Sequence, residues 1–187
     1  IIQQVGTLIG GTVGSTLFLL GKIAAAMTGA GIGVGVAYKF KESPLVVVSA
    51  ATAGMVGAFA GNIAKGTVFV DGVIHFAGPG EPLGAFIAAY VGIELGHLIS
   101  GKTSVDILLT PFVSIVGGSA VGLFAGPPIS AFMTWIGSLV NWGTEQRPFL
   151  MGIIVSVVVG MALTAPISSA ALCIMLGLDG LAAGAAT

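Results

Sequence analysis

GHLISGKT, residues 96–103, has the spacing G-x-x-x-x-G-K-[ST], which in α/β nucleotide-binding domains is the loop that cradles phosphate. The architecture of the chain turns on what this stretch is. A phosphate loop needs a buried strand before it and a helix opening directly after the lysine, so that glycine-freed amides aim at the phosphate. Here the preceding stretch is GAFIAAYVGIEL, residues 84–95, which reads as a transmembrane helix, and His97, Leu98, Ile99 and Ser100 continue it. With 31 glycines in 187 residues, chance matches to a glycine pattern are expected. GKTS is therefore a short polar turn between two membrane helices, with Lys102 at the interface.

The rest of the composition agrees. Apolar residues make up 56% of the chain and charged residues only 7%, against about 25% charged in a soluble domain. Mean hydropathy is +1.10. So few ions cannot cover a water-facing surface, so the chain reads as an integral membrane protein, and its glycine content suits transmembrane helices. The net charge of −1 and the scattered basic residues exclude a nucleic-acid-binding face. A single cysteine, Cys173, lies in an apolar run and implies neither a disulfide nor a thiolate metal cage. The opening IIQQVG carries no signal-peptide pattern, and both ends read as lying inside a longer membrane domain.

A crossing helix needs about 20 apolar residues. Charges and prolines divide the chain into candidates at residues 1–20, 23–38, 44–64, 82–100, 107–125 and 149–172. The expectation is an all-α polytopic membrane protein with about six transmembrane helices and re-entrant or interfacial segments. Two stretches are ambiguous. Residues 66–80 are moderately apolar but contain Asp71 and His75, and residues 127–143 contain Trp135 and Trp142, whose rings favour the interface. Each reads as an interfacial helix or a re-entrant hairpin. Small residues recur every fourth position, at Gly6/Gly10/Gly14, Gly29/Gly33, Gly57/Gly61, Gly92/Gly96 and Gly118/Gly122/Gly126, a spacing that lets helix backbones approach closely in lipid.

VSAATAGMVGAFAG, residues 48–61, aligns without gaps on VSIVGGSAVGLFAG, residues 113–126, with half the positions identical. The chain therefore divides into N-terminal helices (1–42), repeat unit A (43–100), a connecting turn (101–109), repeat unit B (110–168) and the start of a further segment (169–187). Repeats are a common build of secondary transporters, whose substrate lies near the repeat interface against interrupted helices. If residues 66–80 do not cross the membrane, Lys39, Lys41 and Lys102 share one side, which the positive-inside rule makes cytoplasmic.

Ionisable groups at membrane depth are functional candidates. Glu81, in GPGEPLG, stands between broken backbone and a helix start, where its carboxylate would accept hydroxyl hydrogen bonds; a first-turn acid favoured by the helix dipole is the plainer reading. Glu94 and His97, three apart, share a helix face. A di-iron site would need a second Glu-x-x-His and two more glutamates, so the pair reads as lining a cavity or as structural, not as metal ligands. TAPISSAA, residues 164–171, puts Pro166 inside an apolar helix, with Thr164, Ser168 and Ser169 around the break. Asn62 reads as a helix C-cap or a site residue, and Asp106 as a cap. No catalytic constellation, metal set or cofactor motif is present.

GPGEPLGAFIAAYVGIELGHLISGKTSVDILLTP, VGGSAVGLFAGPPISAFMTWIG and MALTAPISSAALCIMLGLDGLAAGAAT together resemble a bacterial family of membrane proteins classed with the EIIC permease components of the phosphoenolpyruvate-dependent sugar phosphotransferase system. The resemblance covers residues 62–187 and, more weakly, the start. It implies a multi-pass protein of the bacterial inner membrane that holds a small polar solute, and by analogy a homodimer. In EIIC permeases a partner EIIB domain phosphorylates the sugar, and a glutamate in a re-entrant turn binds its hydroxyls; Glu81 is the matching residue. No EIIB phosphocysteine or EIIA histidine motif occurs in this sequence, so phosphoryl transfer would need EIIA/EIIB-type partners. The function implied is a permease component moving a sugar-like solute; the alternative is a sensor or scaffold that keeps the fold without transport.

Overall fold

The computed structural model describes residues 2–70, 73–75, 78, 80–144, 153, 156–157 and 160. Its elements are α1 (Ile2–Ile9), α2 (Gly11–Ala26), α3 (Thr28–Lys39), α4 (Pro44–Ala64), a hairpin of β1 (Phe69–Val70) and β2 (Val73–Ile74), α5 (Pro82–Ile99) and α6 (Asp106–Thr144). The chain divides at Pro127 and Pro128 into two compact units. Among the described residues three helices are long and apolar enough to cross a membrane, or up to four if the bent pair α2–α3 is one span. The crossing predicted at 149–172 falls almost wholly outside the described residues.

The first predicted crossing is not a single helix. Gly10 and Gly11 both take positive φ, at 64° and 63°, which L-residues with a Cβ adopt only at a cost. The chain turns back there. A Cβ on Gly6 would lie 2.7 Å from the Gly14 carbonyl oxygen, and Gly21 abuts Gln3. So α1 runs antiparallel along α2, and Gly10 is a hinge instead of a member of a packing stripe. The boundary expected at Lys22 also disappears: α2 continues through it, and the break comes at Met27, where α3 departs at 47°. Gly10→Ala is expected to lower stability by about 1–2 kcal/mol through the left-handed backbone alone, since open space surrounds the position. A thermal melt of the detergent-purified variant checks this.

From α3 onward the sequence stripes act as predicted. α3 packs antiparallel on α4 through Gly29 and Gly33, which face Gly54, Ala58 and Ala50. Ala37, Val46, Ala50 and Ile93 close the core where α3, α4 and α5 meet. α5 returns antiparallel along α4: Gly84 faces Gly57, and Gly92 faces Ala53. The first part of α6 completes the junction. A Cβ on Gly118 would lie 2.6 Å from the Ala88 carbonyl oxygen, and one on Gly122 would lie 3.2 Å from the Gly57 Cα. Such spacing leaves no room for a methyl group, so the backbones themselves are in contact.

The two aligned blocks lie in α4 and α6. Ala53 beside Gly118 and Gly57 beside Gly122 are aligned pairs, so the helices run parallel with matching residues at one level. The segments that follow differ. The first holds the β-hairpin, paired antiparallel with Phe69 opposite Ile74 and Val70 opposite Val73, where the interfacial-helix alternative called for helix. The second is helical, as the continuation of α6. Asp106 is the first residue of α6 and not a preceding cap, and its carboxylate accepts the Thr110 hydroxyl. In the second unit Trp135 is 60% exposed and stacks with Phe132 at 6.3 Å, as an interfacial ring would.

Candidate functional site

Glu81 is placed by backbone that only glycine accommodates. Gly78 and Gly80 have φ of 75° and 69°. Gly80 is pressed against α4, where a Cβ would lie 2.7 Å from the Ala58 carbonyl oxygen. The Glu81 amide then donates to that same oxygen at 2.7 Å. Pro82, whose missing N–H suits the first helical turn, starts α5 at once. Ala58 is six residues short of the α4 end at Ala64, so the turn is seated about 9 Å inside that end. Glu81 is half-buried in the N-cap position, and its side chain makes no capping bond to α5. Around it lie Gly84 and the cluster of Ala58, Phe59 and Ala85. A carboxylate in such surroundings is the group type that marks solute paths in membranes.

Asn62 stands one turn beyond Ala58 on α4 and so shares the face on which the Gly80–Glu81 turn rests. It is not the C-cap, a position that falls to Lys65. Its carbonyl accepts both the amide and the hydroxyl of Thr67, at 3.0 and 3.1 Å. The structure thus brings Glu81 and Asn62 to one end of the bundle.

Glu94 and His97 stand elsewhere. Their Cα atoms are about 20 and 24 Å from that of Glu81 along α5. Both are exposed. His97 does not pair with Glu94; its Nδ1 meets Glu42 Oε1 at 2.9 Å, with Glu42 only 11% exposed. Beside this pair, the Ser43 and Ser100 hydroxyls bond at 2.9 Å. The α3–α4 loop and the α5–α6 loop are thereby tied together, and Lys39, Lys41 and Lys102 share that end. His97 stands in solvent, which screens its contact with Glu42, and glutamine keeps an oxygen acceptor, so Glu42→Gln is expected to change stability by less than about 1 kcal/mol, readable as a near-unchanged melting temperature. Thr164, Ser168 and Ser169 lie outside the described residues.

Three serine hydroxyls that spacing does not single out are buried in the helix packing. Ser49 donates to the Leu45 carbonyl at 2.7 Å, and its aligned counterpart Ser114 crosses to the Gly92 carbonyl at 2.7 Å. The Ser119 hydroxyl is buried with no hydrogen-bond partner among the described residues. Their only sequence signal is a small hydroxyl within a glycine stripe.

A protein-family model described as phosphotransferase system, EIIC, matches residues 1–187, the whole length of the chain. No curated protein and no solved structure matches it.

Proposed function

The chain belongs to the EIIC family of the phosphotransferase system, and from that premise we propose that it is a permease component binding and translocating a small polar solute, a sugar or sugar-like molecule. The observation that carries the reading is Glu81: a half-buried carboxylate fixed on a glycine turn seated inside the end of α4, at a break between β-hairpin and helix. Two such oxygens accept sugar hydroxyls, and Asn62 on the same face offers both donor and acceptor. Thr164, Ser168 and Ser169 are proposed to line a second broken helix, as interrupted helices do in transporters. Glu94 and His97 fit the path only at its far end. The chain does no bond chemistry in this proposal; phosphoryl transfer belongs to EIIA/EIIB-type partners.

The parallel, level-matched packing of α4 and α6 supports an origin by duplication. Phe59 is 1% exposed whereas the aligned Phe124 is 87% exposed, so any such copies have diverged in what they face. The lysine-bearing end of α3–α4 and α5–α6 is proposed to be cytoplasmic, in a multi-pass protein of the bacterial inner membrane acting as a homodimer. A second reading, a sensor or scaffold without transport, is favoured by the Glu42–His97 and Ser43–Ser100 ties, which join two loops a rocking transporter would be expected to separate.

The test is a thermal-shift panel of sugars, polyols, nucleosides and amino acids on the purified protein, followed by uptake of any stabilising solute into proteoliposomes. Stabilisation with uptake supports the permease. Stabilisation without uptake supports the sensor. No response from any sugar removes the solute class proposed.

A further inference from the structure

The bundle end remote from Glu81 has a second set of polar groups, apart from the Glu81–Asn62 end. Tyr38, Lys39, Lys41 and Glu42 line a surface recess of about 380 Å³. Lys41 has φ of 58°, the one non-glycine residue with positive φ among those described, a conformation uncommon for side chains with a Cβ. Lys39 and Lys41 stand at the C-terminus of α3, where the helix dipole favours cations, but that role calls for neither a recess nor what lies beside it.

Beside it is an aromatic track. Phe40, between the two lysines, has its ring 6.1 Å from Tyr90, and Tyr90 lies 6.2 Å from Phe86 at an interplanar angle of 18°. All three rings are about half-exposed, at 53%, 40% and 45% in that order. Phe86, Tyr90, Glu94 and His97 are spaced along one stripe of α5. The lysines on either side of Phe40 therefore stand at the end of an aromatic track that runs along a helix apolar enough to cross the membrane, reaching about 20 Å from its Ile99 end at Phe86.

We propose that this face binds one phospholipid, with its phosphate at Lys39 and Lys41 and an acyl chain along Phe40, Tyr90 and Phe86. The local charges select the headgroup. A net-anionic head would also meet Glu42 and Glu94. Glu42 is turned to His97, whereas Glu94 is exposed one turn below it on the same stripe. Two cations beside a carboxylate match a zwitterion whose ammonium can donate hydrogen bonds. Phosphatidylethanolamine has such a group; the methylated ammonium of phosphatidylcholine cannot donate, and phosphatidylglycerol carries no cation. The proposal rests on the membrane placement of α5 and is independent of what Glu81 binds.

The experiment is native mass spectrometry of the full chain in detergent with an equimolar mixture of the three lipids, their acyl chains matched, alongside thermal melts. Retention of phosphatidylethanolamine about tenfold above phosphatidylcholine is expected, the effect of one hydrogen bond to a charged group. Glu94→Gln should bring the two to parity without changing phosphatidylcholine. Lys39→Gln with Lys41→Gln should remove retention of all three, while Lys65→Gln at the other end changes nothing. Equal retention of the three lipids, or preference for phosphatidylglycerol, overturns the headgroup assignment. Full stabilisation by soluble phosphoethanolamine or inorganic phosphate alone overturns the lipid. Retention that survives the double lysine variant overturns the site.

Discussion

Gly57→Ala should destabilise the protein by about 3 kcal/mol or more, the upper part of the range for overpacking, although it adds only one methyl group. The new Cβ would run into the Gly84 carbonyl oxygen, with the Ala88 Cβ at 2.5 Å and the Gly84 carbonyl carbon at 3.0 Å. Backbone cannot rotate away as a side chain does, so α4 and α5 must separate. Separation then breaks the third contact, because Gly122 of α6 rests on the Gly57 Cα. In a bilayer the interior holds no hydrophobic advantage over lipid, and close backbone packing is a main source of helix association. A melting-temperature drop of about 6–12 °C is expected for a chain of this size.

Gly31→Ala provides the opposite sign. Gly31 lies on α3, and nothing stands within 4 Å of the place its new methyl group would take, so the helix preference of alanine should stabilise by about 0.5–1 kcal/mol. The same change at two glycines thus has opposite effects, and melting curves of the two variants separate packing glycines from merely tolerated ones. Equal, small shifts for both would mean that the α4–α5–α6 junction is looser than its geometry.

Spacing made the packing legible and contact across distance did not. Gly29/Gly33, Gly57, Gly92 and Gly118/Gly122 are at helix contacts because a four-residue period in a membrane helix has few other uses. The Gly96–Thr103 stretch resolves as expected: α5 runs to Ile99, Gly101 turns with φ of 75°, and a helix instead of a strand leads into it. Gly10 has the same spacing as the packing glycines, and only its neighbour Gly11 distinguishes it, since paired glycines favour a turn. The β-hairpin was also readable, because Asp71–Gly72 between VFV and VIHF is a hairpin signal, but the membrane context draws attention to helices. Glu42–His97 left no trace in the sequence: the partners are 55 residues apart, and the nearer Glu94 offers a misleading local match. Glu81 was legible because glycine and proline on both sides announce broken backbone around a charge.

Glu81→Gln is expected to abolish the solute response while leaving the fold in place. What positions residue 81 is main chain: its amide bonds the Ala58 carbonyl, its own carbonyl accepts from Ala85, and Gly80 supplies the turn. Glutamine keeps all of this and the side-chain length, and gives up the charge near the α5 N-terminus, about 0.3–1 kcal/mol. A hydrogen bond to a charged acceptor contributes about 1.5–3 kcal/mol, so affinity should fall by about 10- to 100-fold, read as loss of the thermal shift and of uptake. Gly80→Ala is the companion variant. It retains the carboxylate but combines φ of 69° with a Cβ 2.7 Å from the Ala58 oxygen, so it should move Glu81 off α4 and lose the response by displacement. If both variants lose the response, the carboxylate acts where the turn holds it. If Gly80→Ala loses it and Glu81→Gln retains it, the turn shapes a site in which residue 81 supplies no charge, and the solute must be bound by other groups. If Glu81→Gln and Gly80→Ala both respond like the wild type, this end of the bundle is not the binding site.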